Sequence, residues 1–287
     1  MSILVAVGTT GALTFVLASL LIAANRKLYV YEDPRIDVVE DLLPHANCGA
    51  CGMPGCRPFA EALVAREVSP GACTVSSAEG RAEIATYLGV DVGGGEKRVA
   101  RLACAGASNV ARDRASYVGL QGCAAASQVS GGGKGCFWGC LGDGDCEVAC
   151  TFDAITMSRN GLPVVDEAAC TACGDCVTAC PKDLFSIHPL SHALWVACSS
   201  LEKGDELLED CNVACTACGR CAMDAPGLVG MVNNLAVVDY SRPASNRDAI
   251  QRCPTGAIVW LEPGGYIAKG PSAKKIIRTV GRRAAAT

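Results

Sequence analysis

The sequence lacks the features that would suit a nucleic-acid or nucleotide partner. Its 25 lysines and arginines are outnumbered by 29 acidic residues, which gives a formal net charge of −4. Proteins that bind nucleic acid normally carry a basic excess. There is no P-loop, and no GxGxxG motif follows a convincing strand. The glycine-rich stretch at 131–135 (GGGKG) has no GKS/T ending, so we interpret it as a flexible linker.

Histidine is also scarce, whereas cysteine is abundant. The three histidines, His45, His188 and His192, show no metal-site spacing, and no substrate site is visible. The 20 cysteines stand mostly in tight runs, which disulfide scaffolds do not show, and those scaffolds are usually short. Thiols must stay reduced to bind metal, so the soluble part is expected in a reducing compartment.

The N-terminal segment predicts a membrane anchor. Residues 3–25 contain no charged side chain. This segment is long enough for one helix to cross a hydrocarbon core. Arg26 and Lys27 follow at once and nothing basic precedes, so the positive-inside rule places the rest of the chain in the cytoplasm. A cleaved signal peptide is the alternative, but it would have a charged n-region. We therefore expect a single-pass anchor in the cell membrane.

The remaining chain predicts an α+β fold with a small helical 4Fe-4S domain and duplicated two-cluster ferredoxin-like modules. Residues 98–104 (RVARLAC) and 193–198 (ALWVAC) each precede a ferredoxin-like cysteine run, which indicates a repeat. The basic C-terminus either lies on anionic lipid or a partner or is solvated and disordered. The predicted boundaries are 1–27 for the anchor, 28–92 for the first domain, 96–190 and 191–264 for the modules, and 265–287 for the basic tail.

The strongest motif is a bacterial ferredoxin run ending in Cys180-Pro181. In such runs three thiolates from one loop bind one cubane, and the last cysteine ligates the neighbouring cluster. A partner run with longer loops lies upstream, so crossed ligation is expected. Zinc ribbons, the alternative, need two CxxC pairs well apart and no CP ending. The predicted ligand sets are Cys136, Cys140, Cys146 and Cys180 for one cluster, and Cys150, Cys170, Cys173 and Cys176 for the other.

The second module shows a coordinated loss. Cys215, Cys218 and Cys221 form a three-ligand loop, and Cys253-Pro254 ends a second run. The thiolates of the other cluster are all missing, because their places are taken by Ala225, Pro243, Asn246 and Ala249. Crossed ligation explains this division, so we predict one cluster held by Cys215, Cys218, Cys221 and Cys253.

The first domain carries a different cysteine group, Cys48, Cys51, Cys56 and Cys73. Its glycines at 49, 52 and 55 suit a tight loop around a cluster, although a four-thiolate zinc site is a live alternative. Sixteen cysteines thus account for four predicted [4Fe–4S] clusters. The other four bind a fifth cluster or are buried structural thiols, and we favour structural thiols; they are Cys104, Cys123, Cys198 and Cys211.

These motifs together resemble the B subunit of the Rnf complex, a membrane-bound, ion-translocating ferredoxin:NAD oxidoreductase. The likeness rests on the anchor, NCGACGMPGC, CFWGCLGDGDC, the CxxCxxCxxxCP run and NNLAVVDY. The missing CxxCxxC at 243–249 is a departure from it. The resemblance implies a subunit that takes electrons from reduced ferredoxin or flavodoxin and passes them to membrane and flavin partners. An accessory ferredoxin-like carrier of another redox enzyme and a zinc-bound structural adaptor are the alternatives.

Overall fold

A computed structural model describes residues 2–28, 32–262 and 264–274, and it begins with one long helix. Helix α1 (Ser2–Leu28) has 27 residues, which corresponds to about 40 Å at 1.5 Å per residue. Within it Val7–Leu28 has a mean hydropathy of 1.9 and is not buried against the rest of the protein. By length and composition this helix suits a membrane span.

Three helices then form a small domain with its own core. They are α2 (Pro34–Asp41), α3 (Cys56–Val64) and α4 (Ala78–Leu88), with a 3₁₀ turn at Pro70–Ala72. The Ser77 hydroxyl caps α4 by accepting from the Gly80 amide, and Gly89 ends it at a φ of 61°. Phe59, Leu63 and Ile84 are almost fully buried between the helices. This domain is helical, as expected.

The rest of the chain is built from short strands and short helices. The strands are β1 (Arg98–Leu102), β2 (Ile155–Met157), β3 (Pro163–Val165), β4 (Phe185–Pro189), β5 (Leu194–Val196), β6 (Val229–Val232), β7 (Leu235–Val238), β8 (Ile258–Glu262) and β9 (Tyr266–Ala268). The helices are α5 (Cys123–Ser127), α6 (Asp145–Val148), α7 (Asp175–Ala179), α8 (Arg220–Asp224) and α9 (Asp248–Gln251), with a 3₁₀ turn at Glu206–Glu209.

The same strand pairing occurs twice. Antiparallel β1–β4 and the β2–β3 hairpin make up the first set, and β5–β8 and the β6–β7 hairpin make up the second. The β6–β7 hairpin turns at Asn233 and Asn234, both at positive φ, as a two-residue type I′ turn requires. Each hairpin lies between two of the cysteine-bearing loops, so the pairing fixes how those loops face one another.

The two sets join where β1 and β5 end. The Trp195 indole donates to the Leu102 carbonyl at 2.9 Å, and the Ala105 amide donates to the Ala197 carbonyl at 3.0 Å. The Ser199 hydroxyl donates to the carbonyl of Ala103 at 2.9 Å. These bonds hold the two repeated segments side by side, and they bring the cysteines that follow each strand into one region.

The predicted start of the basic tail at residue 265 needs correction. Residues Tyr266–Ala268 form β9, which pairs with β8 and extends the second sheet. The amide of Lys274 also donates to the Pro254 carbonyl at 3.0 Å. Residues 266–274 therefore belong to the second module, because backbone pairing holds them against it. The remainder of the predicted tail lies outside the described residues.

A nearly buried ion pair links β1 to the ferredoxin run. Arg101 and Glu167 are only 10% and 14% exposed, and the guanidinium donates directly to the carboxylate. Glu167 stands three residues before Cys170. Removing one partner of such a pair leaves an uncompensated charge in a poorly solvated place.

We expect Glu167→Ala to lower the free energy of unfolding by about 3 kcal/mol, because Arg101 would remain buried and unpaired. Thermal unfolding followed by circular dichroism measures the loss. The exposed pair between Arg247 and Glu262 provides a matched control, and Glu262→Ala should cost at most about 1 kcal/mol. Equal shifts in the two variants would contradict the role given to the buried pair.

Candidate iron–sulfur centres

The helical domain forms the first cysteine-lined cavity. Cys48, Cys51, Cys56 and Cys73 line about 320 Å³ of space free of protein atoms. The loop between them is shaped by the Asn47 side chain, whose oxygen accepts from the Cys56 amide at 2.8 Å. The Ser76 hydroxyl donates to the Cys73 sulfur at 3.2 Å. The structure thus brings together the four thiols that the spacing predicted.

The ferredoxin run forms a second cavity of about 310 Å³. Its thiols belong to Cys150, Cys170, Cys173 and Cys176. Ala172 and Gly174 have positive φ, so the loop turns tightly before α7 begins. The Ala100 amide on β1 donates to the Cys170 sulfur at 3.4 Å. Cys150 comes from the upstream run, so the arrangement has the crossed geometry that was expected.

The second module forms a third cavity of about 370 Å³, lined by Cys215, Cys218, Cys221 and Cys253. Cys218 is exposed, so this cavity opens to solvent. Of the four residues that stand at the predicted positions of further thiolates, Pro243 and Asn246 are exposed and the other two are buried. Ala225 and Ala249 are buried in one hydrophobic core together with Ile250.

Cys136 departs from the predicted grouping. It lines a fourth cavity, of about 310 Å³, with three cysteines that the spacing left unassigned. The chain turns between Cys136 and Cys140, where the Gly139 amide donates to the Cys136 carbonyl at 3.1 Å. Cys140, which the spacing grouped with Cys136, is not among the residues that line this cavity. The lining thiols are Cys104, Cys136, Cys198 and Cys211.

Cys123, which the spacing left unassigned, lies near Cys146. The Asp145 carboxylate accepts from the amides of Cys123 and Ala124 at 2.9 and 2.8 Å, which holds the start of α5 beside α6. Burial raises the pKa of Cys146 to about 11, and the nearby Cys123 and Cys180 thiols add to the rise. The Cys140 amide donates to the Cys104 sulfur at 3.5 Å. Burial raises the pKa of Cys140, and Cys104 adds more to the rise than Cys123 does.

Burial dominates the electrostatics of these thiols. It raises the pKa of Cys140, Cys176 and Cys198 to about 12, with neighbouring sulfurs contributing in each case. The bare sulfurs would hold their protons at neutral pH. Thiolates at these positions thus need a metal to compensate their charge, and metal binding displaces the protons.

The spacing of the thiols fits a cluster better than a single ion. Four thiolates around one zinc ion, with Zn–S bonds of about 2.3 Å, would put their sulfurs within about 4 Å of each other. In the described ranges, no three cysteine, histidine or acidic side chains converge closely enough to hold one metal ion. Four thiols instead line each of these sites, which suits a polynuclear iron–sulfur cluster.

Two family models match parts of the chain. One, described as "Putative Fe-S cluster", matches residues 43–75, which contain the first cysteine group. The other, a 4Fe-4S dicluster domain, matches residues 138–185. Iron–sulfur domains therefore cover both the helical domain and the ferredoxin run, and the second match begins after Cys136.

Similar proteins align along most of the chain. The B subunit of the Na⁺-translocating ferredoxin:NAD⁺ oxidoreductase complex of Acetobacterium woodii is 40% identical over 90% of this chain and 78% of its own length. The proton-translocating counterpart from Clostridium ljungdahlii is 40% identical over 84% and 86%. The B subunit of the ion-translocating oxidoreductase complex of Methanosarcina acetivorans is 34% identical over 88% and 96%.

Crossed ligation can be tested with single substitutions. We expect Cys150→Ala and Cys173→Ala to abolish the same EPR signal of the dithionite-reduced protein, because both thiols line one cavity. Cys146→Ala should abolish a different signal. Each variant should lose about four iron atoms, and Ser158→Ala, which removes no thiol, should lose none. Loss of one common signal in Cys150→Ala and Cys146→Ala would contradict the grouping.

Proposed function

This chain belongs to the B-subunit family of ion-translocating ferredoxin:NAD oxidoreductase complexes, and we propose that it is the electron-transfer subunit of such a complex. It accepts electrons from reduced ferredoxin or flavodoxin, or returns them. It relays them along its iron–sulfur centres to the membrane and flavin subunits. The observation that carries this proposal is the set of separate cavities within one chain, each lined by four cysteines.

The bound clusters, which we take to be [4Fe–4S], would supply one-electron redox chemistry. The protein holds them by thiolates and adjusts their potentials with hydrogen bonds to sulfur and with burial. Backbone amides already point at the sulfurs, as from Ala100 to Cys170 and from Leu184 to Cys180 at 3.5 Å. Three cavities and the group containing Cys146 account for the four clusters expected from the sequence.

The architecture supports two further parts of the proposal. Residues 96–190 and 191–264 are ferredoxin-like modules from a duplication, as the repeated strand pairing suggests, and residues 28–92 are a separate 4Fe-4S domain. The helix α1 is a single-pass anchor in the cell membrane, with Arg26 and Lys27 on the cytoplasmic side. This orientation keeps the thiols in a reducing compartment, where a soluble ferredoxin can reach them.

Electron relay is tested with the whole complex, purified without oxygen. NAD⁺ reduction by dithionite-reduced ferredoxin should fall to background in Cys253→Ala, because that substitution removes a ligand of the third cavity. Ser241→Ala in the same module changes an exposed hydroxyl and should leave the rate unchanged. Full activity of the Cys253→Ala complex would favour an accessory carrier over the proposed subunit. The same would follow if this chain purified from the membrane without flavin-bearing subunits.

Deleting residues 1–28 should move the chain from the membrane fraction to the soluble fraction, since α1 is the anchor in this proposal. Immunoblotting of the fractions measures the change. The shortened protein should keep its brown colour and iron content, because no cysteine is removed. Protease added to sealed inverted vesicles should digest the wild-type soluble part. Retention of the shortened protein in membranes stripped of the other subunits would contradict the assignment of the anchor.

A further inference from the structure

We propose that an acidic electron-carrier protein, such as ferredoxin, docks on the surface around Cys218 and exchanges electrons with the chain there. This surface, the Cys218 face, consists of Cys218, Arg220, Met223, Lys269 and Lys274. The inference rests on the proposed function, because it names the place where the soluble carrier meets this chain. One electron passes from the carrier, which is oxidised, to the centre of the third cavity, which is reduced, and no bond forms or breaks.

The first support is the accessibility of one thiol. All 20 cysteines lie within the described residues, and Cys218 alone among them is exposed. The other three thiols that line the third cavity are buried or half-buried. A carrier protein has to bring its own redox group close to the centre that it reduces. The exposed thiol therefore marks the centre that a soluble carrier can approach most closely.

The second support is a set of unpaired cations beside that thiol. Arg220 follows Cys218 by two residues, and it is exposed, as are Lys269 and Lys274. Within the ranges that the structure describes, none of these three side chains forms an ion pair with a carboxylate. Their charges are thus available to attract an acidic partner and to orient it.

Neighbouring charges leave this excess in place. Arg252 is compensated, because its Nε donates to both carboxylate oxygens of Asp224 at 2.9 Å. The exposed loop beside Thr216 carries one lysine and two carboxylates, those of Glu202 and Asp205. These groups add one negative charge in sum, whereas the face itself carries three positive charges.

The fold holds the two lysines at the edge of the third cavity. The segment after β9 lies across the loop of Cys253, where the Lys274 amide donates to the Pro254 carbonyl at 3.0 Å. A Cβ added to Gly256 would lie 2.8 Å from Cδ of Lys269, so the stem of this lysine packs directly on the glycine. Pro254 lines the third cavity. Backbone pairing and close packing thus fix where these two cations begin.

The third support is the uneven distribution of charge along the chain. Residues 215–287, which begin with the first thiol of the third cavity, contain ten basic and four acidic residues, although the whole chain has a net charge of −4. The helical domain is the opposite, because residues 32–67 contain seven acidic and three basic residues. There Arg57 already pairs with three carboxylates. An acidic carrier is therefore repelled by the helical domain and attracted to the Cys218 face.

An apolar contact completes the face. Met223 on α8 is 63% exposed, and methionine adapts its shape to different partners. Val232 is also exposed, and it follows Met231, which lines the third cavity. Weak redox complexes bury little surface, so a small apolar patch with cations around it is sufficient for a brief encounter.

Binding is measured with the full chain, purified without oxygen, and with fluorescently labelled, oxidised acidic ferredoxin. Fluorescence anisotropy at low salt should show a Kd about tenfold higher for Arg220→Gln/Lys269→Gln than for wild type, and added salt should reduce the difference. Arg66→Gln/Arg159→Gln removes two exposed cations elsewhere and should keep the wild-type Kd. An unchanged Kd in the first variant, or an equal rise in the second, would overturn the inference.

Carbodiimide crosslinking locates the contact directly, because it joins carboxylates of the carrier to lysines that they touch. Mass spectrometry should find ferredoxin linked to Lys269 and Lys274, and links to Lys182 alone would overturn the inference. Anionic lipid is the other partner to be tested. If the Arg220→Gln/Lys269→Gln variant lost binding to vesicles of phosphatidylcholine and phosphatidylglycerol but kept the wild-type Kd for ferredoxin, the face would be a lipid surface. Wild-type clusters that dithionite reduces but ferredoxin neither binds nor reduces would overturn the proposed function as well.

Discussion

The structure depends on one constraint: several sulfur atoms must be held around a space that they cannot fill themselves. Thiolates repel each other and lose solvation when buried, as the raised pKa values of Cys140 and Cys176 show. A bound metal cluster offsets both effects, and backbone amides aimed at sulfur add to this. Short loops with positive φ, such as the one through Ala172 and Gly174, exist because only they bring backbone and sulfur together.

The same constraint explains the small amount of regular structure in the modules. The strands are three to five residues long, and buried cysteines are members of the hydrophobic cores that form around them. Ala225 and Ala249, which stand at two predicted thiolate positions of the second module, pack with Ile250 in one hydrophobic core.

The junction of the modules combines both kinds of contact. Backbone hydrogen bonds between the ends of β1 and β5 align the repeats, and the buried Lys134 stands in the wall of the space between them. Arg101 and Glu167 tie the first strand to the ferredoxin loop on the other side. The two modules are thus joined largely through polar contacts.

The sequence alone determined what depends on local spacing. The run from Cys170 to Cys180, the loop of Cys215 and the uncharged N-terminal segment each specify their role within a few residues, because one tight loop or one helix suffices. Only the tertiary structure decided which cysteines from distant segments of the chain lie together. Cys136 and Cys198 line one cavity because the ends of β1 and β5 are hydrogen-bonded to each other. Cys123 lies near Cys146 because the Asp145 carboxylate binds the start of α5, and no spacing rule reaches across such distances. The repeat of β1 and β5 was the one signal in the sequence that pointed there.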